Sequence, residues 1–253
     1  MTSRRLYILT GASRGLGAAM AERLLAPDVQ LLTMSRRPDS GLDGKAAAVG
    51  ARLEQWAVDL AHAVAVAARL EAWLKQREGA SFSSATLINN AAITGRPGPI
   101  DTNEAEDLTA MLRIGLEAPM LLASAFLRVT RGWSCPRRIL NISSGTGRHP
   151  LAGAAGYCAT KAGLDHFSRV TAIDEAARAN GARIVSLAPG VIDTDMQAEM
   201  RSSDPALFSE VQRFIDMKTS GQLASPQQAA ARVLAWLDRP DFGSKPVADV
   251  RDA

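Results

Sequence analysis

Leu6-Tyr7-Ile8-Leu9-Thr10, followed at once by Gly11-Ala12-Ser13-Arg14-Gly15-Leu16-Gly17, is the stretch that decides the fold. A short apolar, β-prone run passes through a glycine-rich turn into a helical pattern over Gly15–Leu25. Glycines allow a tight turn and a close backbone approach, and a helix N-terminus offers unpaired N–H groups and a partial positive charge. Together they make a cradle for a pyrophosphate. The spacing is G-x-x-x-G-x-G rather than the common G-x-G-x-x-G, so a glycine turn that holds no nucleotide is the alternative. Its position between a strand and a helix opposes that alternative.

Outward from this turn the pattern repeats. Strand-like runs stand at Leu6–Thr10, Val29–Met34, Glu54–Val58, Thr86–Asn89, Arg138–Ile142, Arg183–Leu187 and Val247–Val250. Helix-like segments lie between them at Gly15–Leu25, Asp43–Arg52, His62–Arg77, Asn103–Thr130, Ala154–Asn180 and Pro226–Leu237. Such alternation predicts an α/β fold: one Rossmann-type doubly wound parallel sheet of about seven strands, helices on both faces, ligands at the carboxyl ends of the strands. Two stretches break the rhythm. Gly95-Arg96-Pro97-Gly98-Pro99 reads as a loop. Residues 190–223 form an insertion with apolar Met196, Met200, Phe208, Phe214 and Met217, placed to cover a substrate or else packed as an ordinary helix pair.

Composition narrows the rest. With 253 residues, 47% of them hydrophobic, the chain can bury a large core and is expected to form a single domain over 1–253. A formal charge of +3 without a long Lys/Arg block argues against a nucleic-acid partner. Two cysteines, Cys135 and Cys158, have neither metal-ligand nor disulfide-framework spacing. The apolar run near Met1 is too short for a signal peptide, and no stretch approaches 18 uninterrupted apolar residues, so a soluble cytoplasmic protein without a membrane partner is expected. No metal site is expected.

The chemistry sits further along. Tyr157 and Lys161 are four apart, on one face of a predicted helix, 13 and 17 residues after Ser144. A neighbouring ammonium favours the ionised phenol, which predicts a Tyr157 pKa drawn down towards the range useful for proton transfer. Two fixed donors, Ser144 and Tyr157, with a cation beside them suit an oxygen on which negative charge grows. Ser143 is the neighbouring alternative, but its side chain faces the other side of an extended segment. After the second strand, where an Asp or Glu would bind a ribose 2′-hydroxyl, the chain reads Met34-Ser35-Arg36-Arg37. Arg36 with Arg14 can bracket a 2′-phosphate, which predicts NADP(H); two solvated arginines are the alternative.

The Thr10–Gly17 turn, Asp59-Leu60, Asn89-Asn90-Ala91-Ala92, Ser144, Tyr157-x-x-x-Lys161 and Pro189-Gly190 with Thr194 resemble, in order and spacing, the short-chain dehydrogenase/reductase family. The stretch from Pro189 to Met200, followed by Phe208–Pro226, looks like its benzil reductase and sepiapterin reductase-like branch. The resemblance implies that Gly11, Ser13, Arg14, Gly15, Leu16, Gly17 and Arg36 hold the cofactor's phosphates. By the same resemblance Asp59 and Leu60 flank the adenine, Asn89 and Ala91 line the ribose, and Pro189, Gly190, Ile192 and Thr194 hold the nicotinamide carboxamide. Lys161 would also bind the nicotinamide ribose, Ser144 the substrate oxygen, and Tyr157 would give that oxygen its proton. The implied activity is reduction of a small apolar ketone or vicinal diketone. Alternatives are a pterin, steroid-like or acyl-type ketone, or a catalytically weak NADP-binding regulatory protein. A homodimer or homotetramer through the two long helices is also implied.

Two departures matter. Ala92 replaces a usual glycine and requires only that the backbone avoid positive φ. Gly115 stands where the family usually has a catalytic Asn. Pro119 has no N–H to give the Gly115 carbonyl, so that carbonyl is expected either to hold a relay water for Lys161 or to mark a packing kink. An Asn placed at 115 is expected to be tolerated.

Overall fold

The computed structural model describes residues 3–252; Met1, Thr2 and Ala253, which belong to the single-domain reading, lie outside the described residues. The chain runs β1 (Arg4–Thr10), α1 (Gly15–Leu24), β2 (Val29–Ser35), α2 (Ser40–Val49), β3 (Arg52–Ala57), α3 (Ala63–Lys75) and β4 (Phe82–Asn89). It continues through α4 (Ala105–Leu112), α5 (Ala118–Thr130), β5 (Arg137–Ile142), α6 (Ala155–Ala176) and β6 (Arg183–Ala188). The last part holds α7 (Asp195–Arg201), α8 (Val211–Thr219), α9 (Pro226–Leu237) and β7 (Val247–Asp249). The strands form one sheet in the order β3-β2-β1-β4-β5-β6-β7, every neighbouring pair parallel.

Alternation along the strands builds a core on each face. On β1, Leu6 and Ile8 point into the layer under α3 and α5, while Tyr7 and Leu9 point into the layer under α1 and α9. The chain order reverses between β1 and β4, so a crevice opens where the glycine turn and the Asn89–Ala92 segment leave the sheet.

Several boundaries differ from the sequence reading, β4 starting at Phe82 rather than Thr86 among them. Helix α2 starts and stops earlier than Asp43–Arg52 because Asp39 caps it, accepting from the Gly41 N–H at 2.9 Å, and Gly50 ends it at φ 72°. The 103–130 helix is not continuous: a π turn over Arg113–Glu117 separates α4 from α5. Helix α6 closes at Ala176, short of Asn180. Together α4, the π turn and α5 form a stretch, Ala105–Thr130, long and apolar enough to cross a bilayer, with mean hydropathy 1.5. Half of that window is buried in the fold, where α5 packs on α3.

The insertion after β6 is pinned at its neck. Ile192 pairs with Ala224, the Asp193 N–H donates to the Ala224 carbonyl at 2.9 Å, and the Ala224 N–H donates to Val191 at 3.0 Å. Inside it, Met200, Phe208 and Val211 form a small core with Leu151, Phe214 and Ile215. Leu151 belongs to the loop between Ser144 and Tyr157, so the insertion rests on the segment that leads into α6.

Candidate active site

Because every strand points the same way, the segments singled out in the sequence leave the sheet at one edge. The glycine turn follows β1, Arg36 follows β2, Asp59 and Leu60 follow β3, Asn89 ends β4, Ser144 follows β5, and Pro189 to Thr194 follow β6.

The turn is built for close approach. Gly11 adopts φ 70°, and a Cβ on Gly17 would lie 1.9 Å from the Gly11 carbonyl oxygen, so no other residue fits there. Thr10 and Asn90 lock the crevice: the Thr10 hydroxyl accepts from the Asn90 and Ala91 N–H groups at 2.9 and 3.1 Å. The Asn90 amide donates to the Thr10 and Gly11 carbonyls at 3.1 Å each. No side chain caps α1 and no acidic residue stands in its first turn. An uncapped helix start behind a glycine turn fits a phosphate group.

Other assigned residues are engaged differently from the reading above. The Asn89 amide is buried and donates to Asn141 at 2.8 Å, inside the sheet. Leu60 is buried in the core, and the Asp59 carboxylate caps the turn at Ala61. Arg14 is not free beside Arg36: it donates to Asp195, the first residue of α7, at 2.9 Å in an exposed pair. Arg36 is exposed and makes no side-chain hydrogen bond or ion pair among the described residues. Ala92 has no positive φ, as expected.

Ser144 and Ser143 diverge as alternation requires. The Ser144 hydroxyl heads the turn at Gly145–Gly147, accepting from the Thr146 N–H at 3.2 Å, and stands close enough to the Tyr157 phenol to lower its pKa. Ser143 points inward and donates to Asp165 at 2.6 Å. The Lys161 ammonium lies 5.6 Å from the Tyr157 ring centroid and donates to the Ile142 carbonyl at 2.7 Å.

The expected direction of the Tyr157 shift is overturned. Burial pushes the phenol up to about 12, and the nearby Ser144 hydroxyl offsets only part of this. Burial also pushes Lys161 down to about 8, against the pull of Asp165. An i, i+4 spacing shows that a cation is near; it does not show how far the surroundings strip water from the phenol, and here desolvation sets the direction.

Gly115 lies buried in the π turn. The Ala118 N–H donates to Arg113, and Pro119 offers no N–H to either the Ile114 or the Gly115 carbonyl. A Cβ at 115 would stand 2.5 Å from the Cγ2 of Thr160, so the glycine is there for close contact between the π turn and α6. The expected tolerance of Asn at this position is therefore not supported.

The residues missed in the sequence are Thr10 and Asn90 as a lock, the Arg14–Asp195 pair, and Asp165. Only Asp165 had a signal, a carboxylate one turn beyond Lys161 on the same face.

A glycine cradle at the crevice of a parallel sheet, with Ser, Tyr and Lys gathered at the same edge, defines a class, the dinucleotide-dependent oxidoreductases. The model of the short chain dehydrogenase family matches residues 5–205, and the chain belongs to that family, whose members use nicotinamide cofactors. It is similar to a Bacillus cereus benzil reductase ((S)-benzoin forming), 34% identical over 94% of this chain and 96% of the relative. It is also similar to the sepiapterin reductase of Meriones unguiculatus, 32% identical over 97% of this chain and 95% of the relative. A solved short-chain dehydrogenase/reductase from Burkholderia vietnamiensis is 32% identical, with TM-score 0.65 over 100% of this chain and 99% of the other.

Proposed function

We propose that this oxidoreductase is an NADPH-dependent carbonyl reductase that converts a small apolar ketone, and best a vicinal diketone of benzil type, into the hydroxy compound. The observation that carries the reading is the gathering of the Ser144 hydroxyl, a Tyr157 phenol held protonated and a buried Lys161 at one edge of the sheet.

The cofactor, when bound, supplies the hydride. Ser144 and Tyr157 bind the substrate carbonyl oxygen, so the charge that grows there is met by two fixed donors. Tyr157 gives up its proton to that oxygen. The phenolate left behind is stabilised by the Lys161 ammonium and regains a proton from solvent, by way of the Gly115 carbonyl if a water rests on it. Around the cofactor, the uncapped start of α1 takes the pyrophosphate and Arg36 takes the 2′-phosphate. Arg14 joins it by leaving Asp195, a small loss because exposed pairs contribute about 0–1 kcal/mol. The apolar insertion resting on Leu151 favours an apolar substrate and closes over it as a lid.

The reading is supported by the benzil reductase similarity along nearly the whole chain. Its test is a panel of ketones and diketones with both nicotinamide cofactors, followed by cofactor absorbance. Diketones with NADPH should give the highest kcat/KM, and a pterin or a steroid-like or acyl ketone outrunning them would move the assignment to that substrate. Arg36→Ala should lower the NADPH to NADH ratio of kcat/KM; an unchanged ratio removes Arg36 from the phosphate site.

A further inference from the structure

We infer that Asp165 is a positioning residue for the reaction, tying the helix that carries Tyr157 and Lys161 to the strand end that carries Ser144 and keeping Lys161 cationic. The inference rests on the catalytic reading above.

Asp165 is 1% exposed. One carboxylate oxygen accepts two short hydrogen bonds, from Ser143 on the segment after β5 and from Ser186 on β6, both at 2.6 Å. A single side chain of α6 therefore holds the ends of two neighbouring strands, and one of its partners is the residue immediately before Ser144. The second oxygen accepts no hydrogen bond among the described residues. Arg148, at the far end of the turn headed by Ser144, brings its Nε to 3.8 Å from that oxygen, and its Nη2 is 4.0 Å from Asp249 on β7.

Two neutral hydroxyls would be met equally well by an uncharged side chain, and a buried carboxylate costs several kcal/mol in desolvation. The charge therefore needs a reason, and Lys161 supplies it. Lys161 is 2% exposed, and its ammonium donates to a neutral carbonyl, that of Ile142. The groups that bear on the pair are few: Tyr157 and Asp165 on the same helix as Lys161, Ser143 and Ser186 against the Asp165 carboxylate, and Arg148 beyond the Gly145–Gly147 turn. Asp249 lies behind Arg148 and is held by Arg251 at 2.6 Å. Asp165 stands one helical turn beyond Lys161 on the same face of α6, without a direct ion pair to it. It opposes the burial that lowers Lys161. Arg148 opposes Asp165 from the other side.

The signs are distinct for each change. Asp165→Asn keeps an oxygen for both serines but removes the charge, so Lys161 loses its proton at lower pH. The limb on which ketone reduction falls with rising pH should then move down by a unit or more. Arg148→Gln should move the same limb up, because it leaves the carboxylate unopposed. Ser186→Ala keeps the charge and removes one hydrogen bond, so it should lower Tm and leave the limb in place. A limb unmoved in folded Asp165→Asn, or moved downwards by Arg148→Gln, overturns the inference. If Asp165→Asn does not fold, the Arg148→Gln limb decides alone.

A second measurement needs no turnover. In urea denaturation at pH 7, the shift in midpoint caused by Asp165→Asn should shrink by at least half in a Lys161→Met background, because the lost partner is the lysine. Equal shifts in the two backgrounds overturn the inference. Failure of every variant and the wild type to reduce any ketone counts against the proposed function, and the urea cycle still judges Asp165.

Discussion

Tyr157 and Lys161 divide the work in a way that their spacing does not reveal. With the phenol held up to about 12, Tyr157 enters each cycle protonated at any ordinary pH, which suits giving a proton and hinders taking one. Reduction should therefore outrun alcohol oxidation near neutrality. Lys161, held at about 8, is the group that titrates in the working range. As pH rises through about 8 it loses the charge that stabilises the phenolate, so kcat for reduction should fall there; a flat profile to pH 10 would contradict this. Stability runs the other way. The unfolded lysine keeps its proton to about 10.5, so between about 8 and 10.5 the unfolded chain binds more protons, and this group's contribution to stability rises with pH. Tyr157→Phe removes the proton donor and little volume. It should lower kcat by roughly 10²–10⁴-fold with NADPH binding intact by calorimetry, and retained turnover would dismiss Tyr157 as the acid. The alternation that separates Ser143 from Ser144 was legible because strand geometry has a period of two. The direction of the Tyr157 shift was not, because burial depends on segments far away in the chain.

Among the elements, the π turn shows the limit of pattern reading. The 103–130 periodicity says helix throughout, and Pro119 hints at a break, but the contact that requires glycine comes from Thr160 on another helix. Thr160 is 1% exposed and its hydroxyl donates to Gly156 at 2.8 Å, so its methyl has little freedom to turn away. Gly115→Asn should therefore destabilise by about 1–3 kcal/mol through overpacking. Thr160→Ser, which keeps the hydroxyl and removes the methyl, should restore part of the lost Tm; no recovery would place the clash elsewhere. Pro119→Ala returns an N–H to the turn. If the Gly115 carbonyl serves the proton relay, kcat falls while the urea midpoint holds, and an undiminished kcat in the folded variant ends the relay. Helix α2 gives the converse lesson. Its Ala-rich core carries little periodicity, and its true limits were written in the caps Asp39 and Gly50.

At the scale of the molecule, the strand order follows from regular strand-helix alternation, which leaves few topologies open, and this part of the fold was legible from the start. Less legible is what the outer helices face. Leu112, Met120, Val170 and Ile173 are exposed on the neighbouring helices α4, α5 and α6, Ile173 at 71%. A face of that kind favours self-association. The wild type should be a dimer or tetramer by light scattering at micromolar concentration, and Ile173→Asp should shift it towards monomer; a monomeric wild type refutes this. The neck between Ile192 and Ala224 has a consequence for how such a chain diversifies. A segment whose two ends already touch can be exchanged for a shorter or longer one at a closure cost that grows only slowly with length. Residues 193–223 thus form an interchangeable cassette. Grafting the counterpart from another relative, with Thr194 and Asp195 retained beside the glycine turn, would alter which compounds are accepted, while the turn itself and the proton-transfer residues, which lie outside the cassette, keep their own register.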